Sequence, residues 1–380
     1  MDYPYIIFIL LLSYLTIRSW KLNNRSYYFK WAVIITFLFF AFRACVVGAD
    51  TYNYTLGFLQ KADYYTGDET EPLYKVYVKA IRNIWKNEVF FISMNSFLSL
   101  FPIYYIVKKE SFNAVLSVFA FFIFQIYLPY FVALRQILAI AMLLVGIIIV
   151  MKDKSNKWYL YGVCACLAYC IHNSTLINAI LFCLLYFLKL SNRKIAIMII
   201  VATALVGIVF QSLKLSDLFN IYLNLNLGLT TERLNTFIQE DQLNDAGSTV
   251  NIIWNLRFSI LGLFIFYFMD DEKINHWFSK NYLLSVVFSN MFFNVDMIAR
   301  INLAFNLFSV ITFTWGFGER YKQNIKKIFF LKYVGPLVIV FFLLSFIRSQ
   351  IGYKLDDSSR MHPYYFFWED YHTHPSITKF

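Results

Sequence analysis

The sequence is poor in charge: 15% of its 380 residues are Asp, Glu, Lys or Arg, while 59% are hydrophobic. An ordinary soluble domain carries about 25% charged residues, so one water-facing globule is excluded. Catalytic signatures are equally scarce. No Gly-rich phosphate loop, zinc-protease signature or serine-nucleophile motif occurs, which argues against ATP-driven work by this chain alone. The five cysteines (Cys45, Cys164, Cys166, Cys170 and Cys183) lie in apolar runs at no zinc-ligand spacing. They read as small packing residues, not as a disulfide framework or metal site. Low-complexity linkers are lacking, and so is a second soluble domain. The apolar stretch 3–17 is followed by Arg18, Lys21 and Arg25 and by no small-residue cleavage site, so it reads as a first span.

Apolar runs recur along the whole length, each fitting a crossing of about 30 Å of hydrocarbon. They fall near 3–17, 31–47, 88–107, 112–131, 135–151, 158–171, 174–188, 195–213, 256–269, 281–295, 301–317 and 328–347. The 42 Phe suit lipid contact, and the 28 Tyr suit the headgroup boundary. The expected fold is all-α: one integral membrane domain over 1–380 with about twelve transmembrane helices. The net charge of +11 is spread between the spans instead of forming a basic domain, which excludes nucleic acid as a partner. Lys and Arg gather in six alternate connections (18–30, 108–111, 152–157, 189–194, 270–280 and 318–327), so these face the cytoplasm. Both termini and two longer, mixed-charge loops, 48–87 and 214–255, then face the periplasm, with bacterial inner membrane as the location.

Ionisable residues within or beside spans are costly and need a reason. Arg43 is expected about one turn inside the outer end of the second span, with Asp50 seven residues on. Arg135 opens the fifth span, His172 separates the sixth from the seventh, Arg257 opens the ninth, and Asp296 and Arg300 precede the eleventh. All fall at the periplasmic end. Residues 158–188 total about 46 Å as helix, short of the roughly 60 Å two crossings require, so His172-Asn173-Ser174-Thr175 should lie in a recess. A recessed His among polar neighbours suits proton transfer near neutral pH; a capped helix end with a satisfied histidine is the alternative. The arginines either snorkel to headgroups or converge as an anion site. Residues 71–86 read as an amphipathic helix opened by Pro72 and lying on the outer leaflet. Its Glu71 either stabilises the helix dipole or faces the site. His372-Thr373-His374 lacks partners at metal spacing and reads as a solvated segment.

These residues carry a resemblance. Phe42-Arg43, then Gly48-Ala49-Asp50-Thr51-Tyr52-Asn53-Tyr54, Glu71-Pro72-Leu73-Tyr74, Leu134-Arg135-Gln136 and Ala168-Tyr169-Cys170-Ile171-His172-Asn173-Ser174 resemble the EpsG family of exopolysaccharide and O-antigen polymerases, the Wzy-like enzymes. The second half agrees mainly in span pattern and in Arg300. The resemblance implies transfer of a growing glycan from a polyprenyl (undecaprenyl) diphosphate carrier to a lipid-linked repeat unit at the periplasmic face, without cofactor or metal. Membrane lipids and a chain-length regulator are the implied partners. In that chemistry His172 or Asp50 serves as the base. Arg43, Arg135, Arg257 and Arg300 hold the diphosphate, and Glu71 and Tyr54 bind or orient sugars and arginines. Two rival classes remain. A flippase would place polar residues near the midplane in two related halves, and neither feature is visible. A membrane O-acyltransferase would also use a His, but its reactive side should connect to the cytoplasm.

Overall fold

Apolar runs fold as helices in a membrane because every backbone polar group must be satisfied within the segment. The computed structural model describes residues 2–21, 25–48, 50–60, 70–152, 157–190, 192–212, 256–292, 296–317, 325–355 and 362–369. Among the described residues there are seventeen helices and no strand. Their contacts gather into two units, residues 1–183 with 324–380, and residues 184–323.

The first unit begins with α1 (Tyr3–Lys21) and α2 (Arg25–Ala41), followed by the short α3 (Thr51–Leu59) and α4 (Pro72–Ile84). Next come α5 (Glu88–Glu110), α6 (Ala114–Ile123), α7 (Pro129–Val132), α8 (Leu134–Lys152), α9 (Trp158–Ile171) and α10 (Thr175–Phe187), whose last residues, from Leu184, belong to the second unit. The last helix of the chain, α17 (Ile325–Leu355), packs back on α6. Side chains start several helices: Asn87 accepts from the Phe90 N–H at α5, and Asn113 accepts from the Val115 and Leu116 N–H groups at α6. Aromatic rings fill the interior, with Phe39 stacked on Phe8 at 4.2 Å and on Tyr364 at 4.7 Å. α8 and α9 pack closely because Gly146 presents no side chain; a Cβ there would lie 2.9 Å from that of Cys164.

The second unit holds α11 (Arg193–Ser212), α12 (Arg257–Phe268), α13 (Asp271–Ile274), α14 (Trp277–Met291), α15 (Asp296–Asn306) and α16 (Ser309–Trp315). Lys280, expected in a basic loop, instead lies in α14 and donates to the carbonyls of Leu188 at 2.6 Å and Tyr186 at 3.2 Å. Asp271 pairs with Arg193 at 2.8 Å.

Among the described residues, four helical stretches are long and apolar enough to cross a membrane: Tyr3–Lys21, Glu88–Glu110, Leu134–Lys152 and Lys332–Ile351. The pair Ile298–Asn306 and Ser309–Trp315, bent by 41°, makes a fifth if read as one broken span. α6, α9, α10 and α12 are apolar but shorter. Large apolar side chains face outward on these helices and on α11, among them Leu10 and Tyr14 on α1, Leu184 on α10 and Leu205 on α11. Lipid-facing surfaces look like this, and water-facing ones rarely do. The chain is a multi-pass helical membrane protein.

Several expected spans differ in their bounds, and three differ in how they begin, break or end. The second was placed over 31–47, yet α2 stops at Ala41. Beyond it the backbone pairs with the C-terminal segment instead: Ala44 N–H donates to the Tyr365 carbonyl at 2.9 Å, and Phe367 N–H to that of Phe42 at 3.0 Å. The expected span 112–131 is broken after Ile123. Gln125 adopts a left-handed φ of 63°, and Pro129, which has no N–H to give to the turn before it, restarts the helix as α7. The expected span 301–317 begins earlier, at Asp296, and breaks between α15 and α16. The loop 214–255 and His372-Thr373-His374 lie outside the described residues.

Candidate active site

Three helix ends meet at one carboxylate. Glu71 occupies the N-cap of α4, Arg135 is the second residue of α8, and His172 is the C-cap of α9. Pro72 opens α4 because its fixed φ suits a first turn and its missing N–H costs nothing there. α4 packs on α9, burying Tyr74, Val78 and Ile81 and bringing Glu71 to the His172 turn. α9 and α10 have 14 and 13 residues, about 20 Å each. That is shorter than the roughly 30 Å of a hydrocarbon core.

Arg135 Nη1 donates to Glu71 Oε2 at 2.6 Å, and Arg135 Nε donates to the Tyr54 hydroxyl at 3.2 Å. His172 Nδ1 lies 3.2 Å from Glu71 Oε1. An ionised carboxylate only accepts, so Nδ1 carries the proton and a neutral ring has its lone pair on Nε2. The side chains of Glu71, Arg135 and His172 are 9%, 17% and 21% exposed, a partly dry setting in which charge-assisted hydrogen bonds are strong. Burial acts to raise the Glu71 pKa. The hydrogen bond from His172, one from its own backbone N–H, and the charge of Arg135 outweigh it and bring the carboxyl down to about 2. Glu71 is therefore ionised at neutral pH. The Arg135 guanidinium also lies 5.8 Å from the ring centres of both Tyr54 and Tyr74, within cation–π range. Two acceptors, Glu71 Oε2 and the Tyr54 hydroxyl, and two rings fix the orientation of its fork.

The other expected site residues lie elsewhere. Asp50 is the N-cap of α3, half-buried, and its carbonyl accepts from Tyr54 N–H at 3.0 Å; it sits one turn before Tyr54 on the same helix. Because α2 ends at Ala41, Arg43 lies just beyond the helix and not, as expected, one turn inside the end of the span. Arg43 is 1% exposed. It donates to the Phe40 carbonyl at 3.1 Å and the Tyr130 carbonyl at 3.3 Å, with its guanidinium 4.6 Å over the Phe131 ring. Its charge holds the end of α2 to α7. Arg257 opens α12 with its guanidinium 4.8 Å over Phe258, and Arg300 is exposed on α15. Both belong to the second unit, whereas Tyr54, Glu71, Arg135 and His172 belong to the first. Tyr74 had drawn no role from sequence. Its signal was there, three residues after Glu71 and so on the same face of an amphipathic helix. No group of three His, Cys, Asp or Glu side chains suited to a metal occurs among the described residues.

A multi-pass helical bundle with a shielded Arg–Glu–His cluster where helix ends meet defines a membrane protein built around a polar reaction or binding centre. The chain belongs to the EpsG family, a family of Wzy-like polymerases, whose model matches residues 26–366. No curated protein and no solved structure matches it.

Proposed function

We propose that this protein is a polysaccharide polymerase that moves a growing glycan from a polyprenyl diphosphate carrier onto a lipid-linked repeat unit at the periplasmic face of the bacterial inner membrane. The observation that carries the reading is Glu71 joining Arg135 to His172. In the reaction a hydroxyl of the incoming repeat attacks the anomeric carbon of the chain's first sugar. The bond from that carbon to the diphosphate oxygen breaks, and the carrier leaves as a diphosphate. His172 Nε2 takes the hydroxyl proton, while Glu71 holds Nδ1–H and so fixes the tautomer. Arg135 meets the charge developing on the diphosphate with a fork already oriented by Tyr54 and Glu71. Asp50, one turn from Tyr54, is assigned to the sugars. Arg43, committed to internal carbonyls, is assigned to holding α2. About twelve crossings are proposed, with the shorter apolar helices paired or recessed, and with 48–87 and 214–255 outside.

Deletion of the gene tests the reading in cells. Single repeat units on the final acceptor, with long chains gone, are expected. Loss of even the single unit, with lipid-linked repeats held inside the cell, points to a flippase instead.

A further inference from the structure

A cavity of about 640 Å³ lies between the C-terminal ends of α3 and α4, the first turn of α5 and the C-terminal segment. Its volume falls in the range of small-molecule sites, roughly 300–1,000 Å³. Phe42, Trp85, Phe90 and Phe367 give it aromatic walls, and Lys86 and Glu88 are charged lining residues. Trp85 is 59% exposed, with its ring centre 5.6 Å from that of Phe90; Phe42 and Phe367 are the same 5.6 Å apart. Arg82 sets the two helix ends side by side by donating to the Phe58 carbonyl at 2.6 Å and the Gly57 carbonyl at 2.9 Å.

The geometry points to a saccharide-binding subsite: this cavity holds a segment of the growing glycan, a role that rests on the polymerase reading. Ring walls stack on the apolar faces of pyranoses, and charged groups at the same site bond their hydroxyls. A lipid tail would call for an apolar groove within the span. Here Lys86 and Glu88 stand at the very start of α5, where the span meets water. The cavity is also continuous in structure with the Arg–Glu–His cluster. Tyr54 bonds Arg135, and Leu59, five residues along the same helix, lines the cavity. α4 runs from Glu71 at the cluster to Trp85 at the cavity, about 21 Å, a span that an oligosaccharide bridges and a single sugar does not. Grip on the chain at this distance would keep it engaged between successive transfers.

The test uses the full-length protein in nanodiscs. The probe is lipid-free oligosaccharide, of one and of several repeats, released from the bacterium's own polymer. Trp85→Ala and Phe367→Ala are compared with wild type by calorimetric binding and by product length from lipid-linked repeat. Both side chains are exposed, so truncation empties no core. Several-fold to about tenfold weaker binding of the multi-repeat probe is expected, with shorter products and the first transfer retained. Unchanged binding and unchanged chain length would overturn the subsite, as would displacement of the probe by a polyprenyl phosphate. A wild type that binds the multi-repeat probe through Trp85 but transfers nothing would support the subsite and overturn the polymerase.

Discussion

Glu71 has a guanidinium on one oxygen and an imidazole near the other, so its protonation is coupled to both partners. Its carboxyl sits at about 2 when folded, against an ordinary 4.5. A lowered pKa of this kind contributes stability in full above the ordinary value and loses it as pH falls towards the folded one. The melting temperature of the purified protein should therefore fall more steeply from about pH 5 to about pH 2 than that of Glu71→Gln, which lacks this titration. Parallel curves would mean that the carboxylate is not held between Arg135 and His172. At this scale the sequence was partly legible. His172 and Arg135 stood out because ionisable groups at span ends are costly, and Glu71 stood out as the acidic residue before a helix-opening proline. Arg43 looked the same by that criterion. Its burial depends on how the chain leaves α2, which no local pattern encodes.

Elements were legible where periodicity or length decided them. α1, α5, α8 and α11 fall where apolar runs placed them, and α4 falls where an amphipathic pattern did. The breaks were harder to see, because a long-range pairing ends α2 and a left-handed Gln125 ends the turn after α6. Gly48 is the hinge of the first break. Its φ is +103°, and a Cβ there would overlap the carbonyl oxygen of Phe131, which already accepts from Thr51 Oγ1 at 2.5 Å. Both the conformation and the space demand glycine. Gly48→Ala should cost more than about 1 kcal/mol and displace α3, with Tyr54, from Arg135. A lower melting temperature together with reduced polymer synthesis is expected; an unchanged melt would show that 48–50 has another conformation.

The whole molecule was legible as a class: few charges and recurrent apolar runs make a multi-pass helical protein. Meeting of α4, α8 and α9 at one carboxylate, with Tyr54 of α3 on Arg135, was not, since it joins residues 54, 71, 135 and 172 across three intervening stretches. The proposed orientation rests on the Lys and Arg bias. Reporters fused after Lys154 or Lys327 should read cytoplasm, and those within 60–70 or 235–248 periplasm. A cytoplasmic reading from both of the latter would invert the molecule and remove the case for a periplasmic reaction. The central claim, that Arg135 and His172 act on the lipid diphosphate and the attacking hydroxyl, is tested most directly by chain-length distribution from purified protein and lipid-linked repeat, with membrane abundance matched between variants. Wild type should make long chains in excess chelator. His172→Ala should be slower by roughly 100- to 10,000-fold, and Arg135→Lys should lose most polymer because an ammonium cannot reproduce the planar fork. Normal long chains from both variants would contradict the account, and loss of wild-type activity in chelator would put a metal in place of the arginine.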